Sequence, residues 1–203
     1  MVGGIGNDTC YIDNSGDVIE EAPDGGRDTI YSTLSLSLAD TPELENLPLI
    51  GNATAAWGND LDNELFADDG IASDPNGHDG SDTLHARNAG VALIGGVRGD
   101  HYVLDLLSPA ERASVLTNEG PEDGHDRISF AGGSFLLGAH KWIEDIYSVS
   151  GASALSGNAA NNALFGDADE NRIVGGAGDD TLDGGGGTDA VRYFFASGAD
   201  RLL

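Results

Sequence analysis

Asp180 and Asp189 stand nine residues apart, and each is the sixth residue of a unit that opens on glycine: Gly175 to Asp183 reads GGAGDDTLD and Gly184 to Arg192 reads GGGGTDAVR. Counting back by nines gives Gly166 to Val174 and Gly157 to Phe165, so four units run in unbroken register over residues 157–192. The sixth place holds Asn162, Asn171, Asp180 and Asp189, and the eighth holds Leu164, Ile173, Leu182 and Val191. Glycines at the start of each unit let backbone carbonyl oxygens converge without side chains in the way. A carboxylate beside them completes a flexible, oxygen-only ligand set. Such a set suits Ca2+, whereas Mg2+ wants tighter octahedral geometry and Zn2+ or Cu2+ would want His or Cys.

The elements that must position these oxygens follow from the period. The last three residues of a unit can form one short strand of roughly 10 Å in which only the eighth residue points inward. The first six must turn the chain. One unit is then one strand and one turn, two units complete a coil of eighteen residues, and turns on the same edge come from units two apart. An ion held between stacked turns needs partners eighteen residues apart.

The same pattern opens the chain as Gly3 to Tyr11, with Asp8 in the sixth place and Cys10 in the apolar one, which makes Cys10 a small inward hydrophobe rather than a nucleophile. Looser copies follow at Gly58 to Phe66, Gly77 to His85 and Gly95 to Val103. A longer repeat lies over the short one. ELENL at 43–47 and GNDLDNELF at 58–66 recur as WIEDI at 142–146 and GNAANNALF at 157–165, and RDTIYS at 27–32 is echoed by HDRISF at 125–130. The chain therefore reads as two modules, 1–94 and 95–203, each a β-rich insert leading into glycine-rich units; in the second the insert is 104–156 and the regular block 157–192. One short helix is expected at Ser108 to Glu111, where Ser108 can cap, Pro109 takes the first turn and Glu111 closes a capping box. Met1 and Val2 run straight into a complete unit, which reads as a piece of a longer protein.

Composition points the same way. Among 203 residues, 35 acidic against 9 basic side chains give a formal charge of -26, so self-repulsion opposes compaction until cations neutralise it. The same charge argues against nucleic acid and anionic membrane surfaces as partners. With 39% hydrophobic residues the core must be thin, and the lone Cys10 allows no internal disulfide, which leaves metal as the staple. No apolar run approaches the roughly 18 residues of a membrane span, and no cleaved signal peptide is evident.

Other chemistry lacks residues to carry it. His78, His85, His101, His125 and His140 show no metal spacing, GGAGDD lacks the Gly-Lys-Ser/Thr ending of a phosphate loop, and no Gly-x-Ser-x-Gly elbow occurs, so no catalytic residue is assigned. Asp13, Asp17, Glu20, Glu21 and Asp24 read as a solvated acidic face, and Trp57 and Trp142 as core or seam residues.

The nonapeptide Gly-Gly-x-Gly-x-Asp-x-U-x, with U apolar, resembles the RTX, or haemolysin-type, calcium-binding repeat, closely over 157–192 and 3–11 and more loosely over 58–103. The resemblance implies an all-β fold, a parallel β-roll with calcium between adjacent turns on each edge. It also implies bacterial export by a type I system without a cleaved N-terminal signal, and folding on meeting extracellular calcium. Carried onto this sequence, one edge pairs Gly157 and Asn162 with Gly175, Gly176, Gly178 and Asp180, and the other pairs Gly166 and Asn171 with Gly184, Gly185, Gly187 and Asp189. Each pair has exchanged one family aspartate for asparagine, so binding near or weaker than the roughly 10⁻⁴ to 10⁻³ M of extracellular modules is expected. Asp167 and Asp169 are candidates for replacement charge. A third pair sets Asp82 against Asp100, although His78 and Arg98 stand where the pattern wants glycine, and Asp8 has no partner turn eighteen residues upstream. The expected function is calcium binding by a non-catalytic, secreted roll whose other partners are the parent protein's domains or cell-surface material. The alternatives are the C-terminal region of a secreted hydrolase or toxin, and a surface adhesin or S-layer-type array.

Overall fold

Along the chain, the inward residue of each short strand lands on the inward residue of the strand one coil earlier. In a computed structural model that describes residues 3–23, 25–41, 43–51, 53–67, 74–121, 123–192 and 199–203, Cys10 registers with Ile30, and Leu47, Leu65, Leu84, Tyr102, Ile128, Ile146, Leu164 and Leu182 follow in one column. From Ile30 to Leu182 these side chains are at most 1% exposed. Burying each aliphatic one contributes about 1.5–3 kcal/mol. The strands that carry them are Thr9–Ile12, Thr29–Ser32, Asn46–Pro48, Glu64–Ala67, Thr83–Ala86, His101–Val103, Arg127–Leu136, Asp145–Ser156, Ala163–Phe165, Thr181–Asp183 and Arg201–Leu202, joined in that order by parallel pairing. The protein is a parallel β-roll of about ten turns.

The opposite face closes the core. Strands Leu36–Ser37, Ala56–Trp57, Asn76–Asp79, Ala92–Val97 and Leu116–Thr117 form a second parallel sheet. The strands Arg127–Leu136 and Asp145–Ser156 then run across both faces, and the second half of Asp145–Ser156 pairs with Arg172–Val174, which pairs with Ala190–Arg192. They turn the corner at glycines with positive φ, Gly132 and Gly133 in one and Gly151 in the other. Here Phe135, Leu155 and Ile173 are buried, with Val191 packed at the end. Strand alternation corrects one expectation: Ala56 faces inward, so its neighbour Trp57 is 39% exposed, and Trp142 in a turn is 41% exposed. Neither is a core residue.

The stretches without recognisable nonapeptides are β-rich, and they add coils to the same stack. The core side chains of the whole stack divide between two clusters, one from Ile12 to Leu65 and one from Ala67 to Leu182. The expected short helix is present at Pro109–Arg112, with both hydrogen bonds of the Ser108/Glu111 capping box. It delivers Arg112 into the roll, where the buried guanidinium donates to the carbonyls of Leu107, Ala131, Gly132 and Ser134 and lies 4.9 Å over the Phe130 ring. Arg112 thereby satisfies carbonyls that the glycine corner would leave bare. No helix among the described residues is long and apolar enough to cross a membrane.

Candidate metal centre

At the turns, positions two and four of the glycine-rich units take positive φ: Gly176 at 115° and Gly178 at 113° on one edge, Gly185 at 79° and Gly187 at 96° on the other. Space requires glycine as well as conformation. A Cβ on Gly176 or Gly178 would overlap the carbonyl oxygens of Asn158 or Ala160 in the coil below, and one on Gly185 or Gly187 those of Asp167 or Asp169. The stacked turns are the two expected pairs, and carbonyl oxygens crowd both: Gly175 O against Gly157 and Gly184 O against Gly166.

The sixth residue of each coil decides what meets those oxygens. Asp180 accepts the Asn162 N–H at 2.9 Å through Oδ1, and its Oδ2 is buried without a partner among the described residues. Asp82 accepts from Asn63 N–H at 2.7 Å and Asp100 from Asp82 N–H at 2.7 Å, and each keeps a buried Oδ2 without a partner among the described residues. Burial, joined by Asp62 and Asp79, pushes Asp82 up to about 7. Burial and then Asp82, Asp126 and Asp123 push Asp100 up to about 8. Asp180 is raised chiefly by burial, then by Asp200 and Asp179. On the opposite edge, half-buried Asp189 accepts the Asn171 N–H at 2.9 Å. Ionised oxygens enclosed in this way need a cation. The donor set, carbonyl plus carboxylate, fits calcium.

The asparagines do something else. Asn162 Oδ1 accepts the Asn158 N–H of its own turn at 2.9 Å, while its amide nitrogen donates to the carbonyls of Ile143 and Glu144 at 3.1 and 3.3 Å. Asn171 accepts from Asp167 N–H and donates to Ala152 O, and Asn63 accepts from Asn59 N–H and donates to Leu44 O. In each turn the second residue, Asn158, Asp167 or Asn59, also caps the N–H two places on. The amide hydrogens are spent on carbonyls of the coil below, so these turns are satisfied by their own hydrogen bonds. Asp167 is likewise engaged. Partial burial would raise it, yet bonds from Ser148 Oγ, Ala152 N–H, Asp169 N–H and the Asn171 amide hold it down at about 2.

His78 and Arg98 keep the glycine backbone without being glycine, at φ 76° and 90°. The turn around Asp82 and Asp100 therefore retains the geometry of the regular turns. Two residues missed in the sequence join this edge. Asp28 accepts the Asp8 N–H and Asp126 the Asp100 N–H, both at 2.8 Å, each with an Oδ2 that has no partner among the described residues. An acid two places before an inward aliphatic residue, as in Asp28-Thr29-Ile30 and Asp126-Arg127-Ile128, is the signal that would have found them. Glu21 turns inward beside Asp8 and Asp28 instead of lying on a solvated face; Asp24 falls outside the described residues.

Residues 156–191 match the family of the RTX calcium-binding nonapeptide repeat, in four copies. The matched block lies one residue ahead of the four regular units at 157–192. No curated protein and no solved structure matches the chain.

Proposed function

We propose that the RTX repeats at 156–191 make this protein a calcium-responsive roll, ordered by extracellular calcium as part of a secreted protein. The observation that carries the reading is the buried Oδ2 of Asp180, without a partner among the described residues, under a glycine turn lined by carbonyl oxygens. Calcium bound there supplies positive charge that the chain's 9 basic residues cannot supply against 35 acidic ones. Asp180 holds an ion on one edge and Asp189 on the other, the glycines admit the carbonyls, and Leu164, Ile173, Leu182 and Val191 keep the two edges in register. Because ion binding and ordering are coupled, the binding free energy adds to the stability of a thin core. Low intracellular calcium then keeps the chain loose enough for a type I export channel, and calcium outside completes the fold.

The test is far-UV circular dichroism of the chain from chelator to about 10 mM calcium, a range spanning the weak extracellular class, with magnesium as control. A rise in β signal or in melting temperature with calcium alone is expected. A chain equally folded and equally heat-stable in chelator, calcium and magnesium would overturn the proposal.

A further inference from the structure

Two clusters of three carboxylates lie outside the matched repeats, Asp8 with Glu21 and Asp28, and Asp100 with Glu119 and Asp126; in each, oxygens from all three residues lie within 4.8 Å of one another. Acidic clusters on a surface are commonplace, but these are enclosed. Asp28 is 2% exposed, and Asp100 and Asp126 are each 1% exposed. Inaccessible oxygens without a hydrogen-bond partner among the described residues are Asp8 Oδ2, Glu21 Oε1 and Asp28 Oδ2 in the first cluster, and Asp100 Oδ2, both Glu119 oxygens and Asp126 Oδ2 in the second.

The two clusters are built alike. Each joins the sixth residues of two consecutive coils, whose Asp–Asp hydrogen bond leaves one oxygen of the upper carboxylate free. Each then receives a glutamate seven residues before the upper aspartate, from the sequences EAPDGGRD at 21–28 and EGPEDGHD at 119–126. These share the form Glu-x-Pro-x-x-Gly-x-Asp. The shared glycines, Gly26 at φ 148° and Gly124 at φ 146°, lie on the fourth residue of the turn below, Gly6 or Arg98, where a Cβ would overlap its backbone. The glutamates come to the same place: a Cβ on the first turn glycine, Gly3 or Gly95, would overlap a carboxylate oxygen of Glu21 or Glu119. In the second cluster the two aspartates are 26 residues apart, against 18 for the pair Asp82 and Asp100, because the loop carrying Arg112 and Glu119 lengthens that coil.

We propose that these two clusters are additional calcium sites, in which a glutamate from the Glu-x-Pro-x-x-Gly-x-Asp loop replaces the second glycine turn of an ordinary site. Three carboxylates on a flexible turn and loop form a hard, oxygen-only, highly charged donor set, which selects Ca2+ over Zn2+ or Cu2+. Ligand charge tunes calcium affinity, so each cluster binds more tightly than a turn pair of the regular block, which contributes one aspartate and one asparagine. The proposal stands apart from the calcium reading of 156–191, because it shares no residue with that block.

Calorimetric calcium titration of the full chain tests it, comparing wild type with Glu119→Gln, Glu21→Gln and Asp180→Asn, each also melted in chelator and in calcium. Either glutamine variant is expected to lose one high-affinity ion, or to bind it at least about tenfold more weakly, while retaining the ions of the regular block. Glutamine also removes an acid that the cluster keeps from ionising, so in chelator each variant melts at or above wild type while gaining less from calcium. The two clusters provide independent variants should one fail to fold. Glutamine variants with wild-type stoichiometry, affinity and calcium-induced melting shift would overturn the proposal even if Asp180→Asn lost an ion. Loss of an ion only in the glutamine variants would support it and count against the regular block instead.

Discussion

At the scale of single residues, the sixth position of a coil separates two kinds of turn by one functional group. Aspartate leaves a buried oxygen that calls for a cation, whereas asparagine donates hydrogens to carbonyls of the coil below and closes the turn by itself. Asn162→Asp therefore tests the distinction directly. The change removes two donations to Ile143 and Glu144 and sets a carboxylate oxygen against their carbonyls. In chelator the variant should lose about 1–3 kcal/mol of stability, the scale of an unpaired buried polar group. In calcium it should recover, with a larger melting shift than wild type, because the introduced carboxylate and that of Asp180 would then face one ion. Differential scanning calorimetry in both buffers reads both effects, and an unchanged melting temperature in chelator would show that the Asn162 amide bonds contribute nothing.

At the scale of elements, the roll depends on turns whose second and fourth residues tolerate left-handed backbone. Arg98 holds φ 90° in a place where the regular turns use glycine. Relieving that conformation is worth about 1–2 kcal/mol, less the greater chain entropy that glycine brings to the unfolded state, so Arg98→Gly should raise the urea midpoint slightly. Gly176→Ala should lower it, since its Cβ would strike the Asn158 carbonyl as well as demand φ 115°. Opposite signs at two left-handed turn positions, a fourth residue and a second, check the geometry. These elements also show which parts of the fold were legible in the sequence. Residues 157–192 announced themselves because strand, turn and inward residue recur without a break. The coils over 12–57 and 104–156 did not, because the spacing of their sixth residues drifts through 20, 17 and 26, and the turn glycines are replaced. What survives there is an acid two places before an aliphatic residue, as at Glu45 and Leu47 or Glu144 and Ile146, a signal too short to stand out without the coil that gives it meaning. Glu21 and Glu119 were hidden for a related reason: their place beside the turn glycine depends on a loop path that no fixed period describes.

At the scale of the whole molecule, stacking places these acids one above another along a single edge, and the chain's -26 charge becomes a directional strain. Asp82, Asp100 and Asp126 are raised to about 7, 8 and 6, and Glu119 to about 9, in each case by burial first and then by neighbouring carboxylates. Against this, His125 acts to lower Asp126. Acids whose folded values lie above their ordinary ones bind more protons folded than unfolded, so the unfolded state gains as pH rises through the interval. Burial lowers His85, His101 and His140, His101 to about 4, and these groups favour the folded state as pH rises toward 6.5; above that the acids act unopposed, so the calcium-free roll should lose stability progressively from about pH 6.5 to about pH 9, the reverse of a protein held by carboxylate salt bridges. Calcium should cancel the slope, because the ion stabilises the charged form that burial opposes, and its uptake near pH 7 should release protons. Melting curves between about pH 6.5 and 9, in chelator and in calcium at fixed ionic strength, measure both slopes. A melting temperature in chelator that rises with pH would mean that the acidic edge is neutralised from within the chain, and that its aspartates do not depend on a cation.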